Sequence, residues 1–121
     1  MPALIKYIGS AKELDSIFTE SFNRPLIVFK HSRSCGISAH ILEQLTHGVD
    51  HEINVVVVQS HRDLSNLVEE RTGHRHHSPQ IFVLADGQAI YHATHYGIDS
   101  IAVNMKMTSP GAASAGAGGA S

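Results

Sequence analysis

The chain has 121 residues, of which 42% are hydrophobic and 17% charged, with a formal net charge of -2, ten histidines and a single cysteine. This length is typical of one domain with a single core, and one cysteine excludes an internal disulfide, so we exclude a disulfide-stapled secreted scaffold and expect a reducing, cytoplasmic setting. The small negative charge argues against a general nucleic-acid or anionic-membrane binder, and no stretch has the ~18 apolar residues of a membrane-spanning helix.

The first helix and the first strand are predicted from a cap and two hydrophobic patterns. Ser10 and Glu13 match a capping box at the start of a helix. Apolar residues follow at helical spacing: Leu14, Ile17, Phe18 and Phe22. The continuous apolar run Leu26–Phe29 is typical of a strand that is buried on both faces.

A second helix is predicted after the polar stretch Lys30–Ser34. The helix begins at about Cys35 and ends near Gly48, since glycine commonly terminates helices. Its apolar positions lie on one side: Ile37, Ile41, Leu42 and Leu45.

The next strand and helix have equally distinct patterns. Ile53–Val58 contains four consecutive valines, which strongly favour a strand. Ser60 is expected to cap a third helix that ends at Gly73. The inner positions of this helix are Leu64, Leu67 and Val68.

A β-hairpin and a short helix complete the predicted domain. Ile81–Leu84 and Gln88–Thr94 are predicted strands, and Asp86-Gly87 between them is a typical two-residue hairpin turn. Alternation along the second of these strands is expected to place His92 on the same face as Ile90. The final short helix has apolar residues at Ile98, Ile101, Ala102 and Met105.

The composition changes near the C-terminus. From Thr108 to Ser121 the sequence has no charged residue and nothing larger than proline or threonine. Such a segment buries too little apolar surface to offset the entropy of ordering. We therefore predict a folded domain over residues 1–107 and a disordered Gly/Ala/Ser tail over residues 108–121.

The order of the elements predicts the topology. The first two strands are joined by a helix and should be parallel with a right-handed crossover, whereas the last two are joined by a tight turn and must be antiparallel. A βαβ unit followed by a hairpin and a closing helix is the thioredoxin-like plan. We therefore predict an α/β domain with a four-stranded mixed sheet flanked by helices.

Cys35 is the predicted reactive group. It follows a buried strand and begins a helix, where free backbone N–H groups and the positive end of the helix dipole favour a thiolate, the species that attacks disulfides. Lys30, His31 and Arg33 add positive charge nearby. The alternative is a buried, inert cysteine, and the neighbouring polar residues argue against it.

Position 38 decides which redox chemistry is available. A dithiol oxidoreductase has a second cysteine three residues after the first, but here that residue is Ser38. A mixed disulfide on Cys35 must therefore be released by the thiol of another molecule. Two interpretations of Ser38 stay open: a hydrogen-bond donor to the sulfur, or a small polar residue that suits a helix start.

Ser78 and Pro79 form the second informative site. In a thioredoxin-like fold the loop before this strand lies across from the reactive cysteine, and its proline is typically cis. That geometry leaves the backbone of Ser78 free to pair with a substrate backbone. The alternative is an ordinary proline at the start of a strand.

Three histidines precede this site. His74, His76 and His77 are expected at the rim near Cys35, where imidazole supports a thiolate or binds a metal. A His-x-His-His run has no established ligand geometry, so we predict no metal site. The role of these histidines stays open.

Two separated blocks resemble a known family. Phe29–His40 and His77–Ile98 resemble the monothiol bacilliredoxin-like proteins of the bacillithiol redox system, and the similarity covers roughly Leu4–Met107. The resemblance implies a thioredoxin-like fold and removal of bacillithiol from mixed disulfides on proteins.

The resemblance also implies roles for individual residues. Cys35 would be the nucleophile, Ser38 would occupy the resolving position and Pro79 would be the cis proline. Gly36 stands where we expect proline in that family, and Cys-Gly-Ile-Ser is similar to the Cys-Gly-Phe-Ser of monothiol glutaredoxins. Bacillithiol and glutathione therefore both stay open as the small thiol.

Together these features predict a monothiol disulfide oxidoreductase with no cofactor, acting on proteins that carry mixed disulfides and using a low-molecular-weight thiol as co-substrate. We expect a monomer, with a disulfide dimer through Cys35 on oxidation. The expected substrate-binding residues are Lys30, His31, Ser38, Ser78 and Pro79. Two alternatives stay open: a glutaredoxin-like iron–sulfur cluster carrier, and a non-catalytic stress-associated binding domain with an incidental cysteine.

Overall fold

Strands and helices alternate along residues 3–111, the part of the chain that the computed structural model describes. No helix in this part is both long and apolar enough to cross a membrane. The elements are β1 (Ile5–Tyr7), α1 (Ala11–Glu20), β2 (Leu26–His31), α2 (Gly36–Gly48), β3 (Ile53–Val57), α3 (Arg62–Thr72), β4 (Gln80–Ala85), β5 (Gln88–Thr94), a 3-10 turn (His95–Gly97) and α4 (Ser100–Thr108).

The strands form one mixed sheet in the order β1-β3-β2-β4-β5. β3 pairs in parallel with both β1 and β2, while β4 is antiparallel to β2 and to β5. This arrangement confirms the predicted α/β thioredoxin-like plan. The carboxyl ends of β1, β3 and β2 meet at one edge of the sheet, the edge from which the Cys35 segment leaves β2.

The sheet has five strands rather than the predicted four, because the sequence analysis missed β1. This strand has only three residues and two of them are exposed, so it carries no hydrophobic pattern of its own. It is held by pairing with the edge of β3, where Ile5 lies opposite Ile53. A backbone hydrogen bond from Ile53 N to Leu4 O (2.9 Å) extends the pairing.

Alternate residues of the central strands pack into two hydrophobic layers. Ile27 and Phe29 of β2 belong to the layer that α2 and α4 cover. Leu26 and Val28 belong to the layer that α1 and α3 cover. Because both faces of β2 are covered, the whole strand is buried except its last residue, as its continuous apolar run predicts.

A register shift in the hairpin changes which face some side chains occupy. The tight turn forms as predicted, with left-handed conformations at Asp86 (φ 54°) and Gly87 (φ 77°). The pairing between β4 and β5 then slips, so that Ile90 packs with Tyr91 on the α2 side of the sheet. His92 contacts Phe82 on the opposite side (ring centroids 5.5 Å apart), and the expectation that it shares a face with Ile90 is wrong.

Two predicted helix boundaries need correction. α3 is preceded by His61, not by Ser60, and no side chain caps it. By contrast, the predicted end of α2 near Gly48 is confirmed, since Gly48 is its last residue and Val49 is the C-cap. Thr108, the first residue of the predicted tail, ends α4 and donates its hydroxyl to Asn104 O (3.1 Å). Residues 112–121 of that tail lie outside the described residues.

Candidate redox site

Cys35 lies where the fold turns from β2 into α2. It is the N-cap of α2, with extended backbone (φ -108°, ψ 115°), and its carbonyl accepts the N–H of Ala39 (3.2 Å). The residue is partly exposed and the first turn of α2 has no acidic side chain. Among residues 3–111 the sulfur forms no hydrogen bond, so it is free to meet a reactant at the positive end of the helix dipole.

Cys35 is the last residue of a short turn, and the side chain of Gln59 hydrogen-bonds to the three residues before Cys35 in that turn. The N–H of Cys35 donates to Ser32 O (3.3 Å), which closes a four-residue turn. The Gln59 amide donates to Ser32 Oγ (2.8 Å) and to Ser34 Oγ (3.0 Å), and its Oε1 accepts the N–H of Arg33 (3.1 Å). Gln59 was not predicted from the sequence. Its position two residues after the buried strand β3 is the signal that would have found it.

Ser38 stabilises the turn before α2 through a hydrogen bond to Ser32 and forms no hydrogen bond with the Cys35 sulfur. Its side chain is fully buried, and its Oγ accepts the N–H of Ser32 (3.0 Å). The same Oγ lies 2.7 Å from Nδ1 of His31. The two groups are hydrogen-bonded, and the tautomer of His31 sets which of them donates. The hydrogen bond to Cys35 that one interpretation of Ser38 required is not formed.

The surroundings of His31 favour its neutral form. Burial lowers the pKa of His31, and the positive charge of Arg33 lowers it further. The ring stacks on Phe29, with centroids 6.2 Å apart. The neutral tautomer protonated at Nε2 accepts from Ser38 at Nδ1, and the other neutral tautomer donates to it.

Lys30, which the sequence predicts among the substrate-binding residues, is inside the protein. It belongs to β2 and has 0% exposed surface. Its Nζ lies 3.3 Å from Nδ1 of His76, and the Ser65 hydroxyl lies 3.1 Å from the same nitrogen. Lys30 therefore cannot touch a substrate directly, although it contributes a positive charge beneath the site.

The segment containing Ser78 and Pro79 lies on the opposite flank of Cys35 from β3. The Ser78-Pro79 peptide bond is cis, and Pro79 is buried. Gln80 pairs with Lys30 in the sheet, so the residues before it lie beside the end of β2. Pro79 O accepts the N–H of His95 (3.0 Å), whereas the partly exposed Ser78 has no backbone hydrogen bond within residues 3–111.

The side chain of Gln80, at the start of β4, stabilises the loop before this strand through hydrogen bonds. Its fully buried side chain accepts the N–H of His77 (3.2 Å) and donates to Arg75 O (2.8 Å). Its Nε2 also lies 3.0 Å from Nε2 of His92. Like Gln59, this residue was missed, because a single polar residue at the start of a strand is not distinctive in a sequence.

The three histidines before Ser78 do not act together. His76 points inward to Lys30, whereas His74 stacks on His92 with centroids 4.0 Å apart. His77 is exposed and contacts His95 edge-on at 5.7 Å. Within residues 3–111 no group of three or more His, Cys, Asp or Glu side chains is arranged to hold a metal ion.

Comparison with known proteins agrees with this geometry. Residues 6–103 match a family model described as monothiol bacilliredoxin BrxC. A solved structure described as a candidate oxidoreductase with a thioredoxin fold superposes with a TM-score of 0.76 at 27% identity, covering 83% of this chain and 90% of that one.

Two thioredoxins share the fold at lower identity. A mutant thioredoxin from Halobacterium salinarum has a TM-score of 0.65 at 17% identity, covering 89% of this chain and 91% of that one. Thioredoxin NaTrxh from Nicotiana alata has a TM-score of 0.66 at 14% identity, covering 89% and 93%. The family match spans most of the described residues and includes the single cysteine at the start of α2. The chain therefore belongs to the monothiol bacilliredoxin family and is a thiol redox protein with a thioredoxin fold.

Proposed function

We propose that this protein is a monothiol disulfide oxidoreductase that removes a low-molecular-weight thiol, bacillithiol, from mixed disulfides on proteins. The observation that carries the proposal is the presence of Cys35 and Ser38 at the two positions that hold cysteines in a dithiol enzyme. One partly exposed sulfur lies at the start of α2, and a buried, fully engaged hydroxyl occupies the position where a dithiol enzyme has its second thiol.

The first step transfers the small thiol to Cys35. The Cys35 thiolate attacks the small-thiol sulfur of the mixed disulfide, and a new S–S bond forms between these two sulfurs. The original S–S bond breaks, and the target protein leaves as a thiolate that takes a proton from solvent. The target is thereby reduced, and Cys35 carries the oxidation as its own mixed disulfide.

The second step needs a thiol from outside the protein. A second low-molecular-weight thiol, as its thiolate, attacks the small-thiol sulfur on Cys35 and leaves as the symmetrical disulfide. Cys35 returns to the thiolate form, and the electrons come from the two small thiols. Because this step depends on free thiol, we propose the cytoplasm as the location of the reaction.

Residues around the sulfur have supporting roles in this proposal. The free backbone of Ser78 pairs with the target chain beside its disulfide, in the manner of a short added strand. Pro79 forms the wall of that contact. Ser38 and His31 hold the turn at Ser32, so that the sulfur keeps its position at the end of α2 during exchange.

The direct test is mass spectrometry of the intact chain. After incubation with a bacillithiolated protein, the wild-type chain is expected to gain the mass of one bacillithiol, and a glutathionylated protein serves as the parallel substrate. Ser16→Ala, at an exposed position of α1 outside the Cys35 turn, is a control that should keep the adduct.

Two outcomes would contradict the proposal. The absence of an adduct on the wild-type chain is one, and an equal adduct on Cys35→Ser is the other. A coloured, iron-containing dimer on purification would support the cluster carrier instead.

A further inference from the structure

A cleft lies beside the turn that holds Cys35, at the carboxyl ends of the parallel strands β1, β3 and β2. Its volume is about 500 Å³, within the range of small-molecule sites. In α/β sheets, ligands commonly bind outside the carboxyl ends of parallel strands. The polar residues that line the cleft are Tyr7, His31, Arg33, Ser60 and His61.

The chemistry of the cleft suits an anion. It offers one guanidinium, two imidazoles and two hydroxyl groups, and none of the described residues lining it is acidic. The Arg33 guanidinium is oriented by a hydrogen bond to Ser60 Oγ. His61, on the cleft wall, is the N-cap of the eleven-residue helix α3, which no side chain caps, although Asp63 in its first turn offsets part of the positive potential of that helix end.

Cys35 does not line the cleft but belongs to the same short turn as Arg33, which does. Arg33 is the second and Cys35 the fourth residue of the turn closed by Ser32, so the guanidinium and the sulfur leave the same short segment. His31 connects the cleft with the start of α2, since it lines the cleft and its Nδ1 is hydrogen-bonded to Ser38 in the first turn of α2. A ligand joined to Cys35 through sulfur therefore needs only a short connection to reach Arg33.

The sheet order separates this cleft from the Ser78 side. β3 and β1 lie on one side of β2, whereas β4, which begins directly after Pro79, lies on the other. Cys35 at the end of β2 is thus flanked by an anion-binding cleft and by a free backbone edge. These two surfaces match the two halves of a mixed disulfide, a small acidic thiol and a polypeptide.

We infer that the cleft binds the carboxylate-bearing end of the low-molecular-weight thiol, with Arg33 as the main anion contact, while the target polypeptide lies along Ser78. Bacillithiol and glutathione both carry carboxylates, so this chemistry applies to either. The inference rests on the proposed function, because it names how the same site distinguishes its small-thiol substrate.

The test compares small disulfides that contain no protein. Adduct formation on Cys35 is timed with the disulfides of bacillithiol and glutathione, which carry carboxylates, and with 2-hydroxyethyl disulfide, which is neutral. Arg33→Gln is expected to slow the two carboxylated disulfides about tenfold and the neutral one by less than about twofold, as the loss of one charge-assisted hydrogen bond predicts. Arg33→Lys should recover part of the loss.

Arg24→Gln is the matched control, since it removes the same charge at the opposite end of β2, where Arg24 pairs with Glu20. An equal slowing with all three disulfides would show that Arg33 acts on sulfur reactivity and would overturn the inference, as would no slowing. Either result leaves the proposed function intact. A wild-type chain that forms no adduct with the carboxylated disulfides would instead count against the proposed function.

Binding without exchange gives a second readout. The Cys35→Ser chain is titrated with S-methyl bacillithiol while backbone amide signals are followed by NMR. Shifts are expected at Tyr7–Gly9 and at Ser60 and His61. Shifts confined to His77–Gln80 would place the small thiol on the other flank and overturn the inference.

Discussion

Lys30 is a charged residue in the interior of the protein. It has no exposed surface and lies in the central strand β2, between the apolar residues of the layer beneath α1 and α3. Burial lowers the pKa of Lys30 from 10.5 to about 8, and the negative charge of Glu69 opposes this shift only in part. At neutral pH the amine is still protonated, so the folded state carries the cost of desolvating it.

Replacing this lysine should therefore stabilise the protein. Lys30→Met is expected to raise the free energy of unfolding at pH 7 by about 1–3 kcal/mol, because the apolar side chain fills the space without a charge. His76 keeps its contact with the Ser65 hydroxyl in that variant. Urea unfolding followed by circular dichroism measures the change.

The pH dependence supplies an independent check of the same residue. The folded pKa of about 8 lies below the unfolded value of 10.5, so between them the unfolded chain binds more protons and stability rises with pH. Lys30→Met should remove this rise, whereas Lys6→Met, at an exposed position of β1, should keep it. A rise that persists in Lys30→Met would show that Lys30 is not its source.

At the scale of the elements, α2 places the redox turn and packs closely at its other end. A Cβ built on Gly48 would lie 2.8 Å from the Ser100 Cβ and 2.7 Å from its Oγ, so glycine is what lets α2 meet the start of α4. Asn104 of α4 completes the contact by donating to Gly48 O (2.9 Å). By contrast, a Cβ on Gly36 at the first position of α2 meets nothing within 4 Å.

The two glycines make a matched pair. Gly48→Ala is expected to lower the free energy of unfolding by about 1–3 kcal/mol, because α2 and α4 must move apart. Gly36→Ala should cause no loss and adds up to about 1 kcal/mol from helix propensity. Equal effects of the two substitutions, measured by urea unfolding, would contradict the close-packing explanation for Gly48.

Three partly buried histidines give the whole molecule a shared response to acid. Burial is the largest cause that lowers the pKa of His31, His76 and His92. A neighbouring group lowers each pKa further: Arg33 acts on His31, Lys30 on His76 and His74 on His92. They lie on different elements, so the effect is spread over both flanks of Cys35. In each case folding favours the neutral ring.

Stability is therefore expected to fall as the pH drops below about 6.5, the pKa of an unperturbed histidine, because the unfolded chain then binds protons that the folded chain excludes. The midpoint of urea unfolding, measured from pH 7.5 to pH 5, should decrease accordingly. His92→Gln should make the decrease shallower and keep an amide next to Gln80. A midpoint that is constant over this range would contradict the prediction.

Most of the fold follows from local patterns in the sequence. The capping box at Ser10, the apolar run of β2, the valines of β3 and the Asp86-Gly87 turn each express a preference of a few neighbouring residues, and the structure has the elements they predict. The position of Cys35 at the start of a helix is of the same kind, because it depends only on the change from one pattern to the next.

The tertiary structure decided what polar residues near the site do. Lys30 is expected on the surface from its charge, and only the covering of both sheet faces, together with a partner from a distant loop, places it inside. β1 forms because it can pair with the edge of β3. Gln59 can hydrogen-bond to the turn before α2 because parallel pairing brings the ends of β3 and β2 together. The sequence by itself determined the elements other than β1 and the position of the Cys35 thiol at the start of a helix, since both depend on neighbours along the chain. The environment of that thiol depends on contacts between residues far apart in sequence, which local patterns do not encode.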